Sequence, residues 1–293
     1  MYRYIGTALL ATALTSVSVS SCKSATDNRD AEAQIAFDRA QNALNDGKPE
    51  ECIELLDSLD KKFADKADII KESIKLRPKA LMQITVADIA AADSTVNFNK
   101  AFLDSLKPLM TQVNVPGTEG YMLKLSMFDP EFMNKTGVSP RVSENGEFYI
   151  VSSVNPAGGL QHWSVSAVVG DMIATTDTVP YDGTLNFRTN NSEVITFTPN
   201  ASRGIGELVV ANSGMPVKIL FNGQNGRTHS ISLNGGQIDG IATAYRYAEA
   251  VNSMRNATIE LQRLNARLEK LQQQVDSDIS APRVQIYTDS INE

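Results

Sequence analysis

The sequence predicts an α+β protein in which helical segments flank a central antiparallel β region. Apolar residues recur with a helical period over residues 31–112 and again over residues 237–275, whereas they alternate with a period of two over residues 117–235. The chain has 293 residues, which is enough for one large or two moderate domains. Its composition, 42% hydrophobic and 21% charged, is that of a globular protein.

The first part of region 31–112 is predicted to be a helical hairpin. Asp46 and Gly47 end one apolar period, and Pro49 begins the next, because proline is favoured in the first turn of a helix. The stretch over residues 40–63 resembles a tetratricopeptide helix-turn-helix. Since such repeats need at least about three copies to bury a continuous core and one is visible, a single hairpin is the favoured interpretation.

A longer helical region is predicted over residues 66–110. Pro78 lies inside it and should kink or end it locally, because proline removes a backbone donor and crowds the preceding turn. We therefore expect one bent helix or two helices in series.

Region 117–235 contains eight short runs with strand-like alternation. Turn signals such as Asn145-Gly146 and Asp182-Gly183 separate them. No helical interval is predicted between the runs, so the region is expected to be all-β and antiparallel, as a sandwich or a partly open barrel. The runs are residues 120–128, 146–154, 162–169, 184–189, 193–199, 206–212, 217–222 and 228–234.

Region 237–275 has the a/d seam of a coiled coil over about four heptads. The e and g positions form no charge pairs, so they specify neither a partner helix nor an oligomeric state, and both a protein partner and self-association through this helix stay open. We expect the helices before and after the β region to pack antiparallel as a stalk. Residues 276–293 are predicted to be a polar tail with a short strand at residues 284–287.

The first 21 residues have the order of a secretory signal: Arg3, an apolar stretch, then small residues. They end Val19-Ser20-Ser21, followed by Cys22. This pattern resembles the lipobox of bacterial lipoproteins. The resemblance implies cleavage before Cys22, which then carries the acyl chains that anchor the protein to a membrane.

The resemblance also implies a location. Lys23 follows the cysteine, so the aspartate-type signal for inner-membrane retention is absent and the outer membrane is favoured, at its periplasmic face or at the cell surface. Residues 22–30 are predicted to be a lipidated, partly acidic tether.

Composition excludes several functions. The chain has 27 Lys+Arg against 34 Asp+Glu, and this acidic balance argues against nucleic-acid binding, which depends on phosphate neutralisation. Two Cys and two His cannot build a four-ligand zinc cluster of the usual spacing. We therefore predict no metal and no cofactor. Cys52 lies among the apolar residues of the second helix and is predicted to be a small buried hydrophobic residue.

No catalytic residue is predicted. His162 and His229 are not in a recognisable catalytic context, and no G-x-S-x-G elbow is present. A carboxylate-dependent hydrolase is the less favoured alternative, because an acidic pair needs convergence that the sequence cannot show. The acidic residues available in the β region are Asp171, Asp177, Asp182, Glu193 and Glu207.

The favoured interpretation is a non-catalytic cell-envelope lipoprotein that acts as a scaffold or interaction protein, with the β region making contacts. The alternative is a module that binds glycans or peptidoglycan through Trp163. Tyr149, Tyr181 and Phe187 would supply further aromatic faces, although rings that fill the core or cover a sheet edge are the favoured interpretation.

Overall fold

A computed structural model describes residues 25–113, 122–125, 134–189 and 191–280. The chain divides into two compact units. The first comprises Met1–Ile84 with Glu269–Glu293, and the second comprises Thr85–Leu268.

The first unit contains the predicted hairpin, formed by α1 (Ala25–Asn45) and α2 (Pro49–Lys62). Helix α1 ends in a Schellman turn, in which the N–H groups of Gly47 and Lys48 donate to the carbonyls of Leu44 and Ala43. Gly47 adopts the left-handed φ of 73° that this turn requires. The hairpin prediction is confirmed.

Helix α1 also includes residues 25–30, which the sequence predicted as a tether. Two of their charged side chains form ion pairs at the surface: Arg29 Nη2 is 2.9 Å from Asp65 Oδ1, and Asp30 Oδ1 is 2.6 Å from Lys66 Nζ.

Helix α3 (Ala67–Leu106) runs through Pro78 as a single element. The proline leaves the carbonyl of Ile74 without its helical donor, and the Ile74 side chain is exposed, so water can reach this face of the helix. The first half of α3 packs with the hairpin through a core of small and apolar side chains: Ala40, Leu44, Cys52, Leu56, Leu76 and Ala80.

The second unit contains two antiparallel sheets within the described residues. One has six strands in the order β1-β2-β3-β4-β8-β7, and the other has four in the order β10-β9-β5-β6. The α+β class and the antiparallel pairing are thus confirmed. The strands are β1 (Met110–Val113), β2 (Met122–Leu125), β3 (Gly137–Ser143), β4 (Phe148–Val154), β5 (Ser164–Val169), β6 (Met172–Thr175), β7 (Asn186–Arg188), β8 (Glu193–Thr196), β9 (Lys218–Asn222) and β10 (Thr228–Ser232).

The strand predicted at residues 206–212 is wrong, because these residues belong to helix α4 (Pro199–Ala211). Thr198 caps the helix by accepting a hydrogen bond from the N–H of Ala201, and Pro199 occupies the first turn. The buried residues Ala201, Ile205 and Val209 recur every fourth position, which is the spacing of a helix face. The region 117–235 therefore contains an α-helix.

Three strands, β1, β3 and β6, were not predicted from the sequence. Strand β3 contains Pro140, which normally argues against a strand because it cannot donate to a ladder. Pro140 stands opposite Ile150 of β4, and on the other side of β3 the described residues of β2 pair with Val142 and Ser143, so Pro140 lies beyond the described part of that ladder.

The predicted long C-terminal helix is confirmed as α5 (Gly235–Ser280). Asn234 and Gln237 form a reciprocal cap, each side-chain oxygen accepting from the other's backbone N–H. Four residues of the predicted seam are buried within one chain: Tyr247, Ala250 and Leu264 in the second unit and Leu271 in the first. The tail beyond residue 280 lies outside the described residues.

In the second unit, the second half of α3 lies beside α5: Asn99 Nδ2 donates to Ser253 Oγ at 3.1 Å. Both helices, α4 and both sheets contribute to one core. Its members include Leu103 of α3, Ile205 of α4, Ile241 and Tyr245 of α5, Ile150 and Ile195 of the six-stranded sheet, and Val165, Ile219 and Phe221 of the four-stranded sheet.

Candidate functional site

Three buried side chains, Ser152, His162 and Glu193, form a hydrogen-bond chain that we call the buried triad. Ser152 lies on β4, Glu193 begins β8, and His162 stands just before β5. The Nε2 atom of His162 is 2.8 Å from Ser152 Oγ, and its Nδ1 atom is 2.8 Å from Glu193 Oε2. Their exposed fractions are 0%, 0% and 2%. The triad therefore connects the six-stranded sheet to the start of the four-stranded sheet inside the protein.

Glu193 also holds the backbone that precedes β5. Its Oε1 accepts from the N–H of Gln161, and its Oε2 accepts from the N–H of His162, both at 2.8 Å. Gln161 has a left-handed φ of 51°, a conformation that a non-glycine residue adopts only where its surroundings hold it. One carboxylate thus binds two successive backbone donors and an imidazole ring.

These hydrogen bonds determine the charge on Glu193. Burial alone would raise the pKa of its carboxyl, but the hydrogen bonds from the His162 ring and from the two backbone N–H groups together hold the pKa below its ordinary value. The ionised carboxylate can only accept, so Nδ1 of His162 carries a proton and donates it. In the neutral ring, Nε2 then accepts from the Ser152 hydroxyl.

A hydroxyl, an imidazole and a carboxylate in this order also form the nucleophile, base and orienting acid of serine hydrolases. Here Ser152 lies in the middle of a strand that is paired with β3 on one side and β8 on the other. Because neither Ser152 nor His162 has exposed surface, a substrate cannot reach the hydroxyl in this structure. In this structure the triad links β4 and β8 to the segment before β5.

Arg227 holds the loop between β4 and β5 at residues that precede those bound by Glu193. The guanidinium of Arg227 donates to the carbonyls of Gly159 and Gly158 at 3.0 and 3.3 Å. Gly223 lies so close to Leu160 that a side chain there would overlap it. This loop is therefore bonded to the four-stranded sheet on one side and to Glu193 on the other.

Trp163, the residue singled out from the sequence for ligand binding, follows this loop directly and is 36% exposed. Its backbone N–H donates to the carbonyl of Asn222, and its carbonyl accepts from the backbone N–H of Val179, both at 2.9 Å. Tyr181, which is 40% exposed, donates from its hydroxyl to the carbonyl of His162 at 3.4 Å. We call these two exposed aromatic residues the Trp163–Tyr181 face.

Charged groups surround Tyr181. The Arg188 guanidinium stacks on the Tyr181 ring, with Cζ 3.1 Å from the ring centroid, and Arg188 Nε is 3.6 Å from Glu193 Oε1. Burial, with the nearby Glu193 charge, raises the pKa of Tyr181 to about 12, so its hydroxyl keeps the proton that it donates. The face is thus connected to the buried triad through both Arg188 and His162.

The other two aromatic residues considered with Trp163 are not part of this face. Phe187 pairs with Val194, and Arg188 pairs with Glu193, so Phe187 and Glu193 point to opposite faces of the six-stranded sheet. Tyr149 donates to Glu147 instead.

The remaining candidate residues are dispersed. Glu193 is held by His162, whereas Glu207 contacts Arg203 and Tyr245 on the helical side, so these two carboxylates are not paired with each other. Cys52 is fully buried, and burial raises the pKa of its thiol, as expected of a small core residue. Cys22 lies outside the described residues. The ring of His229 stands 6.1 Å from that of Phe221, apart from the triad.

Neither Ser152 nor the convergence of the triad was predicted from the sequence. His162 and Glu193 were each considered, but 31 residues separate them, and only the pairing of β4 with β8 brings Glu193 beside Ser152. The one local signal was the alternation along β4, which places Ser152 on the same face as the core residue Ile150.

The fold and the site define an α+β protein with a buried polar link beneath an exposed aromatic face. Among the described residues, no group of three His, Cys, Asp or Glu side chains is arranged to hold a metal ion. None of the helices in the described ranges has an apolar stretch long enough to cross a bilayer. Comparison of the chain with protein-family models, with curated proteins and with solved structures gave no match.

Proposed function

We propose that this protein is a non-catalytic lipoprotein of the bacterial cell envelope, anchored through acylated Cys22 and favoured at the outer membrane. The observation that carries this proposal is the sequence Val19-Ser20-Ser21-Cys22 after an apolar stretch that begins near Arg3. The burial of the Ser152 hydroxyl supports a role without catalysis.

The anchor can be tested by growing bacteria that express the chain with a radiolabelled or alkynyl fatty acid. We expect label on the wild type and its recovery in the outer-membrane fraction, and no label on Cys22→Ser. Cys52→Ser is the matched control, because the chain has two cysteines and Cys52 is buried in the helical core. Equal labelling of Cys22→Ser and wild type would refute the anchor.

We propose that the helices form a scaffold, with α5 as an assembly surface, and that the β-sheets of the second unit make further contacts. The two sheets share one core, which supports a sandwich arrangement. Because Leu264 is buried within the second unit, contact with a protein partner or with a second copy is expected through the outer face of α5. Crosslinking of intact envelopes, followed by identification of the attached proteins, tests this role. Recovery of uncrosslinked monomer alone would argue against it.

The second candidate function is glycan or peptidoglycan binding through the Trp163–Tyr181 face. The observation that favours it is the exposure of two aromatic rings on two chain segments that are hydrogen-bonded to each other, since exposed aromatic rings offer apolar faces for the C–H groups of sugars. We expect Trp163→Ala to abolish retention on purified peptidoglycan without unfolding the protein. Phe187→Ala, on the opposite sheet face, is the control and should be retained.

A further inference from the structure

Trp163 directly follows Gln161 and His162. In the described part of the chain, these are the two residues whose backbone N–H groups donate to Glu193. From Trp163 onward the backbone is bonded to Asn222 and Val179 and continues into β5. Before Trp163, the fixed points are the bonds of Gln161 and His162 to the carboxylate. Both backbone N–H groups directly before Trp163 therefore donate to one carboxylate, while Arg227 holds the earlier part of the loop at Gly158 and Gly159.

The same carboxylate also influences the second ring of the face. Tyr181 donates to the carbonyl of His162, so displacement of the His162 backbone would move the acceptor of that bond. Arg188, which stacks on Tyr181, has its Nε 3.6 Å from Glu193. Both aromatic residues are thus connected to Glu193 through a single intermediate residue.

We propose that Glu193 is a positioning residue for the Trp163–Tyr181 face: its carboxylate fixes the backbone at Gln161 and His162 and thereby the direction in which Trp163 is presented to a glycan. The presentation to a glycan rests on the second proposed function, whereas the positioning of Trp163 does not. The two can be tested separately.

The chemistry of the contact requires a carboxylate of this length. Each oxygen of Glu193 accepts from a backbone N–H, and Oε2 also accepts from the His162 ring. A glutamine would present an NH2 group, itself a donor, to one of these donors, so at least one bond is lost. An aspartate keeps the charge but is one methylene too short to keep both backbone bonds.

The test uses the intrinsic fluorescence of the full chain, whose single tryptophan is Trp163. We expect Glu193→Gln to shift the emission and to increase quenching by acrylamide, while far-UV circular dichroism stays that of the wild type. Glu207→Gln is the matched control, because it removes an exposed carboxylate paired with Arg203 in the same unit, and it should leave the emission unchanged. A folded Glu193→Gln protein with the wild-type emission and quenching overturns the proposal.

Glu193→Asp keeps the inference testable if the glutamine variant does not fold. It retains the negative charge beside His162 but withdraws the carboxylate from Gln161, so positioning predicts a shifted emission. A role limited to charge predicts the wild-type spectrum, and that result would refute the inference.

Pull-down with purified peptidoglycan separates this inference from the glycan function. If the wild type does not bind while Glu193→Gln shifts the emission, the glycan function is wrong and the positioning of Trp163 stands. If the wild type binds and a folded Glu193→Gln protein binds equally well, Glu193 does not position the ring for that ligand.

Discussion

Each unit contains a cluster of charged and polar side chains that joins two elements, and the two clusters differ mainly in their access to water. In the first unit, Arg77 of α3 donates to Asp57 and Asp60 of α2 at 2.6 and 2.7 Å. The side chains of this surface cluster are 28% exposed for Arg77, 53% for Asp57 and 38% for Asp60. In the second unit, the buried triad has an exposed fraction of 2% or less at every member.

This difference in exposure explains why contacts of similar length contribute different free energies to stability. Exposed ion pairs gain little, because water already solvates both charges and salt screens them. Buried charges lose that solvation on folding, so a buried pair stabilises the native state only while every partner is present. Removal of one partner then leaves a charge or a polar group without compensation.

The largest effect is expected for Glu193→Ala, which leaves the His162 ring and two backbone N–H groups buried without their acceptor. We expect a loss of about 3–5 kcal/mol in the free energy of unfolding. Urea unfolding followed by Trp163 fluorescence measures this change, because the single tryptophan lies in the second unit. A loss below about 1 kcal/mol, the value for exposed pairs, would contradict the expectation that the buried triad contributes more stability than the surface cluster.

A second prediction isolates the charge of Glu193. Its pKa is lower in the folded protein than the ordinary value of 4.5, so the folded state favours the ionised form. The resulting stabilisation is fully present above pH 4.5 and is lost as the pH falls through the folded-state pKa. The stability difference between wild type and Glu193→Gln should therefore shrink on acidification in this range. A constant difference from neutral to acid pH would show that the charge contributes nothing.

Ser152→Ala should have a smaller effect than Glu193→Ala. It removes one hydrogen bond and leaves Nε2 of His162 without a partner, while the carboxylate keeps its three donors. We expect a loss of about 1–3 kcal/mol by urea unfolding. Ser166→Ala, which removes a buried hydroxyl of the interior strand β5 outside the triad, serves as the comparison. If Ser152→Ala destabilised the protein as much as Glu193→Ala, loss of the Ser152 hydrogen bond would have to disrupt the bonds of Glu193 as well.

The sequence predicted the helical elements well because their signals are local. Gly47 and Pro49 mark the hairpin turn, and the heptads mark α5. Helix α4 was missed because its Leu and Val residues also suit a strand, and only the cap at Thr198 and the four-residue spacing from Ala201 distinguish the two.

Less of the candidate site than of the fold could be predicted from the sequence. Trp163, considered from the sequence as a ligand-binding residue, is 36% exposed, whereas packing of the aromatic rings in the core or over a sheet edge was the favoured interpretation. The buried triad depends on the order β4-β8 within a sheet, and strand order is a long-range property that alternation cannot specify. Polar residues within apolar runs, such as Ser152, are the positions where strand pairing decides between a solvated and a buried role.

The smallest effect is expected for Arg77→Ala in the surface cluster. We expect a loss of about 1 kcal/mol or less, because the aspartates regain water when the guanidinium is removed. Far-UV circular dichroism is the appropriate probe, since the first unit is helical and contains no tryptophan in its described residues. In about 1 M salt the Debye length falls to about 3 Å, so the effect of Arg77→Ala should nearly vanish, whereas that of Glu193→Ala should persist. Equal salt sensitivity of the two variants would mean that water reaches both clusters, and burial would no longer explain their difference.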